Sequence, residues 1–454
     1  TFTLVNGSFF IPLFTSITVY RLFFHPLSSF PGPVLARLSM WWRVWQVAHM
    51  NSYEVIHRLH EEYGPIVRIG PNHLSINDVN AFYIIYGNQT KAAKPTTMYG
   101  MREERSLNTE LDVRRHGARR VPFEKALSPK RIVEYLPALY RLTDLLVTRL
   151  SEEKDHVLLN RWLSYFAFDI MGELAYSKSY KCLETRTMHE GIEALEQFLA
   201  AASWIGYVPW VAQIMSRLPI PDPTQSLQDF ARSALEERKK ESNPSADVLS
   251  FVFSGKQDLT PGEQMQDAML LQVAGSDTTL SALIFACYHL AIDKQLQRDI
   301  REEIQGNLEA ELTFDTVKDL ALLQGLINET LRLHPPGATA LPREIPKGGV
   351  HVCNTFIPEY TTASCPTWSI QRDPKHYDNA DTFDVKRWAA PSNKAFIPFS
   401  MGPSNCVGKL FAYMEMKYVL AKLIISFDIS LAEGEDGAAL KKSKDHVAVA
   451  CGEL

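Results

Sequence analysis

Cys406 is the residue in this chain best placed to do chemistry. It lies in the stretch FIPFSMGPSNCVGK (396–409), a Gly/Pro-rich loop just before a helix-like run from Lys409 to Ile425. A thiol at a helix N-terminus feels the positive end of the helix dipole and faces unpaired backbone N–H groups. That setting lowers its pKa and favours the thiolate, the form that attacks electrophiles and ligates metals. Gly402 and Gly408 remove side chains where a flat ligand or a second backbone comes close. No second ligand of the CxxC or CxxH kind lies nearby, which speaks against a zinc or iron–sulfur site. A lone axial thiolate for heme iron fits the local chemistry. An ordinary cysteine buried ahead of a helix fits it equally well.

Two further sets of residues carry chemical potential. Ala274-Gly275-Ser276-Asp277-Thr278-Thr279 sits in the middle of an apolar helical pattern. Gly, Ser, Asp and Thr are poor interior helix residues, so their clustering points to a local kink or a site. Gly275 leaves room for a small ligand. Asp277 and Thr278 supply a carboxylate and a hydroxyl, the parts of a proton relay. A polar patch on a solvated face is the alternative, and the apolar flanks argue against it. Glu329-Thr330-Leu331-Arg332 places a carboxylate and a guanidinium at i, i+3 on one helix face. Most such pairs are surface ion pairs worth under ~1 kcal/mol.

These residues need elements to hold them. Thr260-Pro261-Gly262-Glu263 is a capping box with proline at the first helical position, and it opens a long helix predicted to run to about Ala291. Helices are also predicted from Ser39 to Tyr63, from Lys294 to Gly306 and from Phe314 to Leu333. Helical periodicity covers 129 to about 218, where Leu218-Pro219-Ile220-Pro221-Asp222-Pro223 interrupts it. Ile66–Ile69 and His73–Ile76 read as strands around the turn Gly70-Pro71-Asn72. Residues from about 90 to Val113 form a polar loop, and 342–369 turn β-like. The whole reads as mainly α with a minor β-sheet.

Length and composition set the frame. With 454 residues, 46% of them hydrophobic, the chain can bury a large core. Length alone suggests about three domains of ~150 residues. No linker separates them after residue 35, so one large domain over 36–454 is expected. A net charge of −5 gives no basic excess, which argues against nucleic acid as a partner. Six scattered cysteines form no secreted disulfide pattern and favour a reducing compartment. Residues 1–20 are uncharged and mostly apolar, and about 20 such residues span a bilayer. A basic n-region is missing, so a membrane anchor over 1–24, truncated at its start, is expected rather than a cleaved signal peptide. A buried or peripheral helix is the alternative. The proline-rich segment from His25 to Pro33 reads as a stiff, extended hinge over 25–35.

Taken in order, AGSDTT, ETLR, FDVKRW (383–388) and FSMGPSNCVG resemble the cytochrome P-450 monooxygenases, and the resemblance covers essentially the whole chain. HPLxxxPGP (25–33) and YGPIVRIGPNHLSIND (63–78) are most similar to membrane-bound fungal members. The resemblance implies a single large heme-thiolate fold. It implies insertion of one oxygen atom of O2 into a C–H bond of a lipophilic small molecule. Electrons would come from a separate NADPH-dependent cytochrome reductase, since no flavin or nicotinamide module is fused here. It also implies the endoplasmic reticulum membrane, with the catalytic domain facing the cytoplasm. A heme-thiolate isomerase or dehydratase that does not use O2, and a non-catalytic heme-binding protein, are the alternatives. An intact Asp277-Thr278 pair argues against the first.

Residue by residue, the resemblance implies that Cys406 is the axial thiolate of heme (iron protoporphyrin IX), with Phe399 packed on the proximal face and Gly402 and Gly408 shaping the loop. Glu329, Arg332 and Arg387 would form a buried charge triad behind that loop. Ala274 and Gly275 would border the oxygen site, and Asp277 and Thr278 would deliver protons to dioxygen. His116 and Arg120 fit the family's Trp-x-x-x-Arg pattern, with His in place of Trp, and would pair the heme propionates. Arg343 is a further propionate residue, because guanidinium suits carboxylates. Val273, Ala338, Thr339 and Leu341, with the 94–112 loop and the 196–216 segment, would line an apolar substrate pocket. Lys409, Lys417, Lys125 and Lys130 would face the reductase. Three departures stand out. Ser404 replaces the usual Arg and weakens one propionate contact. Tyr360 replaces a turn glycine, so a positive φ there would be strained. Phe411 replaces a common Leu and is expected to repack.

Overall fold

The computed structural model describes residues 2–450 apart from 50, 101, 216, 220–221, 223, 241–246, 256–257, 309, 391–392, 439, 441–442 and 447. Part of the proline-rich break at 218–223, and Cys451, therefore lie outside the described residues. The helices that position the site are α1 (Phe2–Val19), α2 (Val113–Ala126), α3 (Leu159–Tyr176), α4 (Glu190–Ile205), α5 (Gln225–Lys240), α6 (Pro261–Ile292), α7 (Ala321–Leu333) and α8 (Lys409–Ser426).

The capping box forms at the start of α6. Thr260 Oγ1 accepts the Glu263 N–H at 3.1 Å, and Glu263 Oε2 accepts the Thr260 N–H at 3.1 Å. From there α6 runs 32 residues without a break. It threads the core and packs on α3, α5, α7 and α8. Leu283, Cys287 and Leu290 on α6 are wholly buried, as are Leu163, Phe166 and Ala175 on α3. From Trp162 to Tyr176 nearly every α3 side chain is buried, as expected of a helix inside a core.

The strands are short. β1 (Ile66–Gly70), β2 (His73–Ile76), β3 (Arg343–Glu344) and β6 (Thr362–Ser364) form a four-stranded sheet in the order β1-β2-β6-β3. β1 and β2 are antiparallel, with Ile66 opposite Ile76, whereas β2 and β6 are parallel, with His73 opposite Thr362. β4 (Val350–Val352) and β5 (Thr355–Ile357) make a separate hairpin. Its turn holds Cys353 and Asn354 at φ 49° and 56°. Positive φ at both central residues gives a turn whose twist matches the flanking strands.

Three local expectations change. The run from Ser39 to Tyr63 is two helices, Trp41–His49 and Ser52–Tyr63. Phe314 to Leu333 is also two, Phe314–Val317 and α7. There the Glu303 carboxylate accepts the Leu322 and Leu323 N–H groups at 2.9 and 3.1 Å, which starts a new helix that sequence periodicity alone runs together. The 25–33 segment is not extended. It makes hydrogen-bonded turns, Ser28 N–H to His25 O at 2.8 Å and Phe30 N–H to Leu27 O at 3.2 Å, and buries Leu27 and Phe30. The buried Arg68 guanidinium donates to the carbonyls of Arg21, Leu27 and Pro71 at 3.0, 3.2 and 2.6 Å. The segment is strapped to β1 by an arginine whose local sequence gives no hint of that role.

Among the described residues, α6 is the one helix long and apolar enough to cross a membrane, and it is a core helix. The apolar stretch Ser8–Phe24 is shorter.

Tyr360 adopts φ 59° and is about half exposed. A side chain in that left-handed region costs roughly 1 kcal/mol, so Tyr360→Gly should raise stability by about 1 kcal/mol. A urea unfolding midpoint that fell in this variant would refute the strain. Phe411 is buried and sits edge-on to Tyr135 at 6.1 Å between ring centres, so it repacks as anticipated.

Candidate active site

The cysteine loop is held from three sides. Its own backbone closes it, with the Cys406 N–H donating to Phe399 O at 2.9 Å. Gly402 has φ +69°, and a Cβ there would lie 2.1 Å from the Tyr86 carbonyl. Its bareness thus serves a backbone contact rather than a ligand. From α2, Arg120 donates to the Asn405 carbonyl at 2.7 Å, to the Asn405 side-chain oxygen, and to Glu124 at 2.7 Å. Phe399 stacks at an angle on Tyr413, 5.2 Å between ring centres. A Cβ on Gly408 would meet nothing nearer than Cys406 Sγ at 3.9 Å, so the space beside the sulfur is open.

Cys406 keeps exposed area although protein surrounds it closely. Ala274 is exposed in the middle of α6, between buried Leu271, Gln272 and Ser276. Exposed area on residues so enclosed marks an internal cavity. The thiol pKa is not lowered on balance. Burial pushes it up, while the Gly408 and Lys409 N–H groups and the Arg120 and Lys409 charges pull it down. The dipole argument is right in sign and smaller than desolvation. A bound metal cation would reverse the balance, because a coordinating thiol loses its proton outright.

A basic cluster lies beside the loop. His116 is one helical turn from Arg120 on the same face of α2. Residues 93 and 344 are bridged by hydrogen bonds of 3.1 and 2.7 Å, which sets Lys94 next to Arg343. Burial pushes His116 down to about 4, helped by Lys94, Arg120 and Arg343. Burial pushes the Lys94 ammonium down to about 7, helped by Arg343. The buried Tyr99 hydroxyl lies beside Arg343. Crowded basic side chains that lower one another's pKa fit a group that brings carboxylates, as heme does with its two propionates. Lys94 was missed by sequence reading, since nothing local separates it from a surface lysine such as Lys91. Ser404 has no side-chain hydrogen bond among the described residues.

The acid–alcohol pair sits on α6. Thr278 Oγ1 donates back to the Ala274 carbonyl at 2.8 Å. This i−4 bond satisfies the hydroxyl within a helix that runs on without a break. Asp277 Oδ2 is buried without a partner, and its carboxyl is pushed up to about 7, first by burial and then by Glu196 on α4. Gly275 does not leave room for a ligand. A Cβ there would lie 2.3 Å from Met171 Sδ, so the bare face is used to pack α3 against α6.

Behind the loop the charge triad assembles. Glu329 takes a bidentate pair from Arg332 at 2.7 and 2.8 Å, a bond from Arg387 at 2.9 Å, and further bonds from the Asp384 N–H and Trp388 Nε1 at 2.9 and 3.0 Å. Gln371 then bonds the Leu331 and Arg332 carbonyls and accepts the Ile397 N–H at 2.8 Å, linking α7 to the start of the loop.

The remaining pocket residues divide. Leu341 is exposed, and Val273 and Thr339 are half-buried. Ala338 belongs to the packed core, where its carbonyl accepts the Trp368 N–H at 3.0 Å, so it offers the pocket no surface. Lys417 is buried too and donates to the Lys318 carbonyl, which removes it from any docking face. Lys125, Lys130 and Lys409 are exposed.

A thiol at a helix start opening on an internal cavity, a basic cluster beside it and the acid and alcohol of α6 make a site suited to a heme-thiolate. The family description cytochrome P-450 matches residues 31–449. Tryprostatin B 6-hydroxylase of Aspergillus fumigatus is 31% identical over 452 residues, covering 96% of this chain and 81% of that protein. A cytochrome P-450 monooxygenase of Aspergillus versicolor is 32% identical over 456 residues, covering 97% and 84%. Another, of Eupenicillium brefeldianum, is 32% identical over 441 residues, covering 94% and 89%. The chain belongs to the cytochrome P-450 family and is a heme-thiolate monooxygenase.

Proposed function

We propose that Cys406 is the thiolate ligand, that Asp277 and Thr278 handle protons, and that the substrate is a lipophilic secondary metabolite. The relatives named as tryprostatin B 6-hydroxylases make hydroxylation of such a molecule the reaction to test first. Bound heme would supply the activation of dioxygen. Arg120, Arg343, His116 and Lys94 would hold its carboxylates, and Phe399 and the Gly408 opening would fit its near face. The observation that carries the proton role is the unpartnered Asp277 carboxyl beside a hydroxyl fixed at 2.8 Å to Ala274. An acid pushed up to about 7 can both hold and release a proton near neutral pH.

Residues 1–24 form the anchor in this reading, 25–35 the strap and 36–454 the catalytic domain. Phe23, Phe24, Leu35, Trp41, Trp45 and Trp210 are all exposed, and Trp41 touches Trp210 edge-on at 6.1 Å. Aromatic and apolar side chains around the end of an apolar helix favour a bilayer surface, with the domain on the cytoplasmic side of the endoplasmic reticulum. A separate NADPH-dependent reductase would dock at the face bearing Lys125 and Lys409.

Thr278→Ala should keep the reduced carbon monoxide spectrum of a thiolate-ligated heme while product formed per NADPH falls about tenfold or more. Unchanged coupling in that variant would remove the proton assignment. A wild-type protein without the thiolate-type Soret band would remove the whole reading.

A further inference from the structure

Helix α2 carries a second set of buried contacts that the proposed cofactor site does not use. Arg119, one residue before Arg120, points the other way, toward the start of α6. Its side chain is almost fully buried. It donates to Asp267 Oδ2 at 2.8 Å, Glu110 Oε2 at 3.2 Å, Glu263 Oε1 at 3.4 Å and the Arg105 carbonyl at 2.9 Å. Asp267 uses its other oxygen to accept the Leu107 N–H at 2.6 Å. Lys94 grips the same residue from its other end, donating to the Leu107 carbonyl at 3.3 Å. Arg115, one turn earlier on α2, bonds Glu110 and Glu263, both at 2.8 Å. The Glu104 carboxylate lies so close over Gly262 that any side chain there would collide with it.

The position of this knot gives it meaning. Residues 102–110 hold no helix or strand, only a turn in which the Thr109 and Glu110 N–H groups donate to the Ser106 carbonyl at 3.1 and 2.9 Å, so these side chains are what tie that turn to α2 and α6. Asp267 and Ala274 are seven residues apart and Thr278 four further, which puts all three on one stripe of α6. The stripe that is exposed to the cavity at Ala274 is therefore the one to which Leu107 is tied, two turns upstream. The loop forms a wall at that end of the cavity.

We propose that Arg119 is a positioning residue for substrate: through Asp267, Glu263 and Glu110 it holds residues 104–110 as a fixed wall of the cavity and so limits which ligands fit. The proposal rests on the cavity above Cys406 being the substrate site. It concerns the shape of the cavity and leaves the grip on the cofactor to Arg120, His116 and Arg343.

The test uses the full-chain holoenzyme with two heme-binding probes, imidazole and the bulky azole clotrimazole, together with hydrogen–deuterium exchange. In Arg119→Met, amide exchange in 104–110 should rise at least tenfold. The dissociation constant for clotrimazole should change at least fivefold, in either direction, while that for imidazole stays within twofold. Arg119→Lys, which keeps one charged bond, should fall between the wild type and Arg119→Met. Should Arg119→Met fail to accumulate, Asp267→Asn is read in the same way, since it removes the same ion pair and keeps the shape. Unchanged exchange in 104–110, or equal effects on both azoles, overturns the proposal. Absence of the thiolate band in the wild type would instead overturn the function reading, and exchange in 104–110 would still decide whether Arg119 fixes the loop.

Discussion

Glu329→Ala should leave almost no folded holoprotein. The carboxylate is completely buried and satisfies Arg332, Arg387, the Asp384 N–H and the Trp388 indole at once. Removing it strands the Arg332 guanidinium, also completely buried, with only backbone carbonyls of Gln371, Ala380 and Thr382 as partners. Breaking a buried pair by deleting one partner costs about 3–5 kcal/mol. That is a large share of the ~5–15 kcal/mol by which folded proteins exceed unfolded ones. The effect should reach the site as well, because Gln371 links Arg332 to Ile397 at the start of the cysteine loop. Arg387→Ala should cost less, since Arg387 is partly exposed and its loss leaves Glu329 paired with Arg332. Urea unfolding and heme content of the two variants check the order. A Glu329→Ala protein with wild-type midpoint and heme content would show that the triad does not hold the core.

How much of this was legible in the sequence depended on whether the cause was local. The α6 capping box, the polar residues at 274–279 and the cysteine before α8 could be read directly, because each is set by neighbours within four residues. Glu329 and Arg332 were legible as a pair and became a triad only through the FDVKRW match, since Arg387 reaches Glu329 across 58 positions. Arg68, Lys94 and Arg119 were not legible. Arg68 stands between Val67 and Ile69 in an apolar strand, Lys94 just before Pro95 and Arg119 in a basic run, and what buries each is decided mostly by residues on other elements. Gly275 was misread for the same reason, since a missing side chain says that something comes close but not whether that is a ligand or Met171. Ser404 remains a real departure, and Lys94 offers a cation on the same cluster that the sequence did not reveal. The break before α7 escaped periodicity because the Glu303 carboxylate that caps it comes from another helix.

Cys406→Ser should separate ligation from folding. The sulfur itself meets the Gly408 and Lys409 N–H groups, donors a serine oxygen can also accept from, whereas the backbone bond to Phe399, the Arg120 grip on Asn405 and the Gly402 contact with Tyr86 do not use it and remain. The apoprotein should therefore unfold within about 1 kcal/mol of the wild type, the usual scale for a near-isosteric change. The reduced carbon monoxide complex should lose its thiolate-type Soret band, and product formation should fall below detection, because a neutral hydroxyl cannot push electron density as a thiolate does. Buried Cys287 and Cys365 are poorly placed to substitute. Burial pushes Cys287 up to about 12 with no opposing charge, and Cys365 is held up in the same way. At Cys406 the opposing N–H groups and cations are already in place, and only the charge of the metal is missing from the balance. A serine variant that kept the thiolate band would move the ligand to another sulfur. One that lost the fold as well would show that the loop depends on the Sγ contacts with the Gly408 and Lys409 N–H groups.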